Sequence, residues 1–275
     1  MRTREFGGTG RKVSIIGQGT WAMKNNGRDA LKLGIELGMT HINTAEMYTG
    51  AEELIGQVIR NRRKEIFLVS KVVPSNASYK GTLLACDASL KRLNTDYIDV
   101  YLLHWWSGSH PIAETMRAME ELVAAGKIRH IGVSNLDIDR LKRAQRALTR
   151  EKIACNQVLY HLRSRGIEHR LMPYCESHNI AVVGYSPFGQ GHFLLGSSKQ
   201  AKALSVIAHR HGKTPRQVAL NFLTRRESLF AIPKASNVDH VRENAGGTGW
   251  QLTDEDVQLI DSVFPPSKDE PLDMI

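Results

Sequence analysis

The chain predicts an α/β fold: a (β/α)8 TIM barrel forming a single domain over residues 1–275, with an N-terminal β-hairpin closing its bottom. Three observations predict it. Short apolar runs of strand length recur along the chain, separated by stretches with helical spacing of apolar residues. The 275 residues suit a barrel of roughly 250 residues. The competing doubly wound sheet needs a glycine-rich phosphate turn after its first strand, whereas Gly17-Gln18-Gly19 leads into Thr20-Trp21.

The hairpin comes first, with residues 3–6 and 12–14 flanking the turn Gly7-Gly8-Thr9-Gly10. Strands follow at 15–19, 41–43, 66–70, 98–103, 130–134, 154–158, 181–185 and 229–232. Between them, Ala30, Leu31, Leu33, Gly34 and Leu37 fall on one helix face, as do Leu83, Leu84, Ala88 and Leu90, and Met116, Met119, Leu122 and Val123. Thr214-Pro215 marks a helix start, with proline at the first helical position. No low-complexity tract or domain boundary interrupts this alternation.

Composition narrows the function. The net charge is +9, but the Lys and Arg are scattered, so no nucleic-acid partner is expected. The densest cluster, Arg60-Asn61-Arg62-Arg63-Lys64, reads as a solvated helix end. Cys86, Cys155 and Cys175 show no C-x-x-C spacing, which predicts free thiols in a reducing compartment. The N-terminus has no apolar signal region, and no apolar run approaches the roughly 20 residues that cross a bilayer. A cytoplasmic protein without a membrane partner is expected. No metal site is expected either, because His209 and His211 do not share a helix face. Gly246-Gly247-Thr248-Gly249 lacks the Lys-Ser/Thr of a phosphate loop, and Gly184-Tyr185-Ser186-Pro187-Phe188 lacks the second glycine of a nucleophile elbow.

The chemistry lies at the strand ends, where barrels of this kind carry their sites. Asn43 ends the second predicted strand, Tyr48 lies in the loop after it, Lys71 ends the third and His104 follows the fourth. Each alone is usually a packing or solvated residue. Gathered at one rim, they can donate a proton to a carbonyl oxygen. A free phenol has a pKa near 10, and a nearby ammonium such as Lys71 lowers it. His104 can orient the oxygen, and Tyr48 then acts as general acid. Proteins cannot supply hydride, so a cofactor must.

At these residues the chain resembles the aldo-keto reductase family over essentially its whole length, closest to small bacterial methylglyoxal-reducing members. The resemblance rests on Gly19-Thr20-Trp21, Ile42-Asn43-Thr44-Ala45-Glu46-Met47-Tyr48, Val69-Ser70-Lys71 and the stretch from Leu93 to Trp105. It continues through Gly126-Lys127-Ile128-Arg129, Gly132-Val133-Ser134-Asn135, Asn156-Gln157, Tyr185-Ser186-Pro187 and Ile232-Pro233-Lys234. Asn156 to His161 and the ending Leu272-Asp273-Met274-Ile275 suggest the subgroup.

The resemblance implies Tyr48 as proton donor, Lys71 as its charged partner and His104 as carbonyl guide, with Asn43 completing the catalytic group. It implies a cofactor, NADPH rather than NADH, held by Gly19, Thr20, Trp21, Asn43, Ser134, Asn135 and Gln157 around the nicotinamide, on which Tyr185 stacks. Ser186, Pro187, Phe188 and Gly189 would lie along the pyrophosphate, Lys234, Ala235, Ser236 and His240 at the 2′-phosphate, and Glu243 and Asn244 at the adenine. Trp21 and Trp105 would wall a substrate pocket containing Tyr48 and His104. Short rim loops imply an open pocket for small aldehydes, ketones or dicarbonyls. A monomer is implied.

Two departures stand out. The family normally has an aspartate where this chain has Asn43; an amide still accepts from Lys71 but brings no charge. Many NADPH-preferring members have an arginine where this chain has His240, and an arginine fork suits phosphate better than an imidazole. Asn43 leaves a second reading open: a cofactor-binding regulatory or scaffold protein with little turnover.

Overall fold

The computed structural model describes residues 1–191, 193, 198–266 and 272–274. Ile275, quoted above, lies outside the described residues. Strands β1 (Thr3–Glu5) and β2 (Lys12–Ser14) pair antiparallel as the hairpin. Gly7 takes a φ of +56°, and a Cβ there would sit 2.3 Å from the main-chain oxygen of Ala154, so only glycine allows the turn to pack this closely. Phe6, fully buried, places its ring 4.8 Å from Phe67 and from Phe230 and edge-on to His41 at 5.7 Å. These partners lie at or near the starts of three barrel strands, so the hairpin plugs the barrel's N-terminal end with an aromatic cluster.

Eight parallel strands follow in sequential neighbour order: β3 (Gln18–Gly19), β4 (His41–Asn43), β5 (Phe67–Val72), β6 (Ile98–Leu103), β7 (Ile128–Ser134), β8 (Ile153–Leu159), β9 (Ala181–Tyr185) and β10 (Leu229–Ala231). Main-chain bonds close the ring: Gly17 N donates to Ala231 O at 2.8 Å, and Ile16 and Gly19 bridge Ala231 and Lys234. Strands β5, β6 and β8 are buried along their whole length.

The helices are α1 (Arg28–Glu36), α2 (Ala51–Ile59), α3 (Tyr79–Leu93), α4 (Ile112–Ala124), α5 (Ile138–Ala147), α6 (Leu171–Ser177), α7 (Lys199–His211), α8 (Pro215–Leu223), α9 (Val238–Ala245) and α10 (Asp254–Val263). Their apolar faces and the outward strand residues form one core, while Phe6, Val69, Val100, Leu102, Val183 and Phe230 belong to a second inside the barrel. Thr214 caps α8 with Gln217 in a reciprocal capping box, as the Thr-Pro signal predicts. Among the described residues no helix is long and apolar enough to cross a membrane.

Three sequence expectations are corrected. The first strand forms a regular ladder only at Gln18–Gly19, with Ile16 making an isolated bridge. Lys71 does not end its strand: β5 pairs Lys71 with Leu102 and Val72 with Leu103. Arg63 is not solvated, since its guanidinium bonds Ile66 O, Tyr97 O and Asp99 Oδ2, the last at 2.7 Å. It ties the end of α2 to β6, a role that a run of like charges hides. His211, on α7, gives Nε2 to Asp256 at 2.6 Å.

Candidate active site

At the C-terminal end of the barrel a cavity of about 500 Å³ opens between the strand ends. The parallel register sets its floor. Asn43 ends β4, Lys71 lies one residue before the end of β5, and His104 directly follows β6, so successive strands deliver them side by side. Tyr48 arrives on the turn between β4 and α2; its main-chain N–H donates to Ala45 O at 2.9 Å, and its main-chain oxygen accepts from Ala51 N. The Tyr48 and His104 rings meet edge-to-face, with centroids 5.8 Å apart.

Lys71 is 1% exposed. Its Nζ donates to Asn43 Oδ1 at 2.7 Å and to Thr44 O at 2.6 Å, and lies 5.1 Å from the centre of the Tyr48 ring. Burial holds the amine down to about 7. Burial, and then the charge of Lys71, hold His104 down to about 2, so its imidazole is neutral. Its Nδ1 is buried with no hydrogen-bond partner among the described residues. Tyr48 departs from expectation: burial, with Tyr185 adding to it, pushes the phenol up to about 12. The short bonds of Lys71 go to Asn43 and Thr44, and desolvation of the phenolate outweighs its neighbouring charge.

A set of amides lines the adjoining wall. Asn43 Nδ2 donates to Gln157 Oε1 at 3.2 Å, while Gln157 Nε2 donates to Asn43 Oδ1 at 3.3 Å. Ser134 Oγ donates to Gln157 O at 2.9 Å, and Tyr185 Oη to Asn135 Oδ1 at 3.0 Å. Asn135 holds a φ of +59°, a conformation asparagine tolerates better than most residues, and its Nδ2 donates to His104 O at 3.2 Å. One short network thus links β7, β8, β9 and the loop after β6.

The remaining candidates divide along the rim. Gly19, Thr20, Trp21, Trp105, Ser186 and Lys234 line the cavity with the residues above. Thr20 Oγ1 donates to Asn43 O at 3.0 Å, tying the loop after β3 to β4. Pro187, Phe188 and Gly189 form the loop past β9, where the Arg216 guanidinium lies 4.8 Å from the centre of the Phe188 ring. Lys234 also borders a second, polar hollow with Ala235, Ser236, His240 and Asp29 of α1. Glu243 and Asn244 sit on α9; Glu243 Oε1 accepts from Thr214 Oγ1 at 2.7 Å, and Asn244 is buried. Sequence reasoning missed Met47, Gln190, Ile232 and Met274 on the cavity wall. Met47 stands beside Tyr48 in sequence, whereas Met274 comes from the far end of the chain, with no local signal to announce it.

A profile of the aldo/keto reductase family matches residues 15–264. The chain is 43% identical over 272 residues to the methylglyoxal reductase YeaE of Escherichia coli K12, covering 96% of this chain and 95% of that protein. It is 34% identical over 266 residues to a glyoxal reductase of Bacillus subtilis, covering 95% and 91%. Among solved structures, an aldo-keto reductase from Klebsiella pneumoniae in complex with NADPH superposes with a TM-score of 0.92 at 42% identity, each chain covered in full.

Proposed function

The chain belongs to the aldo/keto reductase family, and on that premise we propose that it is an oxidoreductase that reduces small aldehydes, ketones or dicarbonyls, methylglyoxal among them, with NADPH. One observation carries the reading: the phenol of Tyr48 and the imidazole of His104 meet edge-to-face in a cavity of about 500 Å³ at the C-terminal end of the barrel.

The residues fit a nicotinamide dinucleotide. The amides of Asn135 and Gln157 and the hydroxyl of Ser134 offer both donors and acceptors to a carboxamide, and Tyr185 offers a ring beside them. Lys234 borders both the cavity and the polar hollow, so one cation serves the passage between nicotinamide and 2′-phosphate. When bound, the cofactor supplies the hydride. The chain's own work concerns the carbonyl oxygen. His104 orients it, Tyr48 Oη gives it a proton as negative charge develops there, and Lys71 stabilises the phenolate that remains. Trp21, Met47, Trp105 and Met274 give the pocket apolar walls.

The close relation to methylglyoxal and glyoxal reductases supports the small-dicarbonyl substrate. Steady-state assays with methylglyoxal, glyoxal and simple aldehydes test it; no NADPH oxidation with any of them sinks the proposal. Asn43 keeps a second reading in play, that of a cofactor-binding regulatory protein. Single-turnover mixing with NADPH and methylglyoxal separates the two: oxidation supports the enzyme, and tight binding without oxidation supports the regulator.

A further inference from the structure

We propose that Gln157 is a positioning residue for Lys71, acting through Asn43: by holding both ends of the Asn43 amide, it keeps the oxygen, and not the NH2, turned towards the lysine amine. The inference goes beyond the reductase reading, because it concerns the protein without cofactor or substrate.

A carboxylate presents oxygen to a neighbouring ammonium whichever way it turns. An amide has two unlike ends of the same shape, so its orientation has to be fixed by something else. Asn43 Oδ1 accepts from Lys71 Nζ at 2.7 Å and from Gln157 Nε2 at 3.3 Å, and Asn43 Nδ2 donates to Gln157 Oε1 at 3.2 Å. All three side chains are buried, at 1–3% exposure. The other acceptor of Lys71, Thr44 O, is main chain and cannot rotate. Turning Asn43 alone would set its NH2 against the ammonium, its oxygen against Gln157 Oε1, and leave buried donors unpaired. The main chain of Gln157 is anchored, its oxygen accepting from Ser134 Oγ at 2.9 Å and Asn135 N at 2.8 Å, which sets the side chain within reach of Asn43. The protonated amine needs Oδ1; a neutral amine also tolerates NH2 through its lone pair. The proton on Lys71 and the orientation of two amides are therefore linked.

The titratable groups around Lys71 do not replace this restraint. Tyr48 and His104 face it from the loops after β4 and β6, His41 from β4, Cys155 from β8 and Glu52 from α2. Glu52 is held by Arg92 at 2.7 Å and Ser70 at 2.5 Å.

The test is a pH titration of [ε-13C]lysine-labelled protein by NMR, with the Lys71 resonance identified by its loss in Lys71→Met. Gln157→Met is expected to lower the Lys71 midpoint by about half a pH unit, about threefold in proton affinity. Gln157→Asn keeps an amide in the core but is one methylene too short to reach Asn43; it is expected to shift the midpoint the same way, and decides the matter if Gln157→Met does not fold. In an Asn43→Asp background the same Gln157 substitutions should shift the midpoint by less than about 0.2 units, because either carboxylate oxygen serves Lys71. An unchanged midpoint in the Asn43 protein, or an equal shift in both backgrounds, overturns the proposal.

Discussion

Lys71 and Tyr48 are neighbours whose strongest bonds point elsewhere: Nζ lies 5.1 Å from the phenol ring centre, while its donors go to Asn43 Oδ1 and Thr44 O. Any effect of the lysine on the tyrosine therefore runs through its charge, and that charge depends on how well a buried ammonium is stabilised. With the amide of Asn43 as its side-chain acceptor, burial leaves Lys71 at about 7.

Carbonyl reduction should consequently weaken as pH rises through about 7, as Lys71 loses its proton. Asn43→Asp supplies a charge, so it should raise kcat by about tenfold at pH 8 and move the alkaline decline upward by about one unit or more. A pH–rate profile of both proteins checks this, and an unchanged or lower rate in Asn43→Asp argues against it.

Tyr48→Phe removes the proposed proton donor while keeping the ring that packs against His104. Reduction should fall by about 10²–10⁴-fold. The NADPH Kd, read by fluorescence titration, should stay within about twofold. A variant that retains most of its rate would show that another group protonates the substrate.

Lys71 should also cost stability. Its pKa is lowered on folding from 10.5 to about 7, so between these values the unfolded chain binds more protons than the native one. Stability from this group therefore rises with pH across that window, and below about 7 the cost is fully present. Lys71→Met should raise Tm by about 3 °C or more at pH 6 and change it little near the top of the window. Thermal melts at both pH values decide it; an equal shift at both would place the effect in packing.

His240 borders the polar hollow with Lys234, Ser236 and the carboxylate of Asp29. His240→Arg places a permanent bidentate donor there and should tighten NADPH about fivefold, about 1 kcal/mol, while NADH changes little. Paired Kd measurements for the two cofactors check it. A parallel gain for NADH would assign the effect to general charge.

Particular residues show how far the sequence could be read. His41–Asn43, Ile98–Leu103 and Ala181–Tyr185 form strands over the predicted spans, and each is buried along all or most of its length. The first strand is poorly delimited, since much of its pairing consists of isolated bridges to residues more than 200 positions away. Arg63 looked like part of a solvated basic run because nothing local announces Asp99. Met274 reaches the cavity from the opposite end of the chain.

By itself the sequence determined the barrel and the rim on which Asn43, Tyr48, Lys71 and His104 gather, because hydrophobic period and strand order are written locally and repeat. Only the tertiary structure decided what those groups are chemically. The neutral imidazole, the raised phenol and the lowered amine all follow from burial. The two ends of the Asn43 amide meet Gln157, 114 residues along the chain. Protonation and hydrogen-bond polarity depend on which distant groups are brought together and on how much water is removed from between them, and neither has a period that a sequence can display.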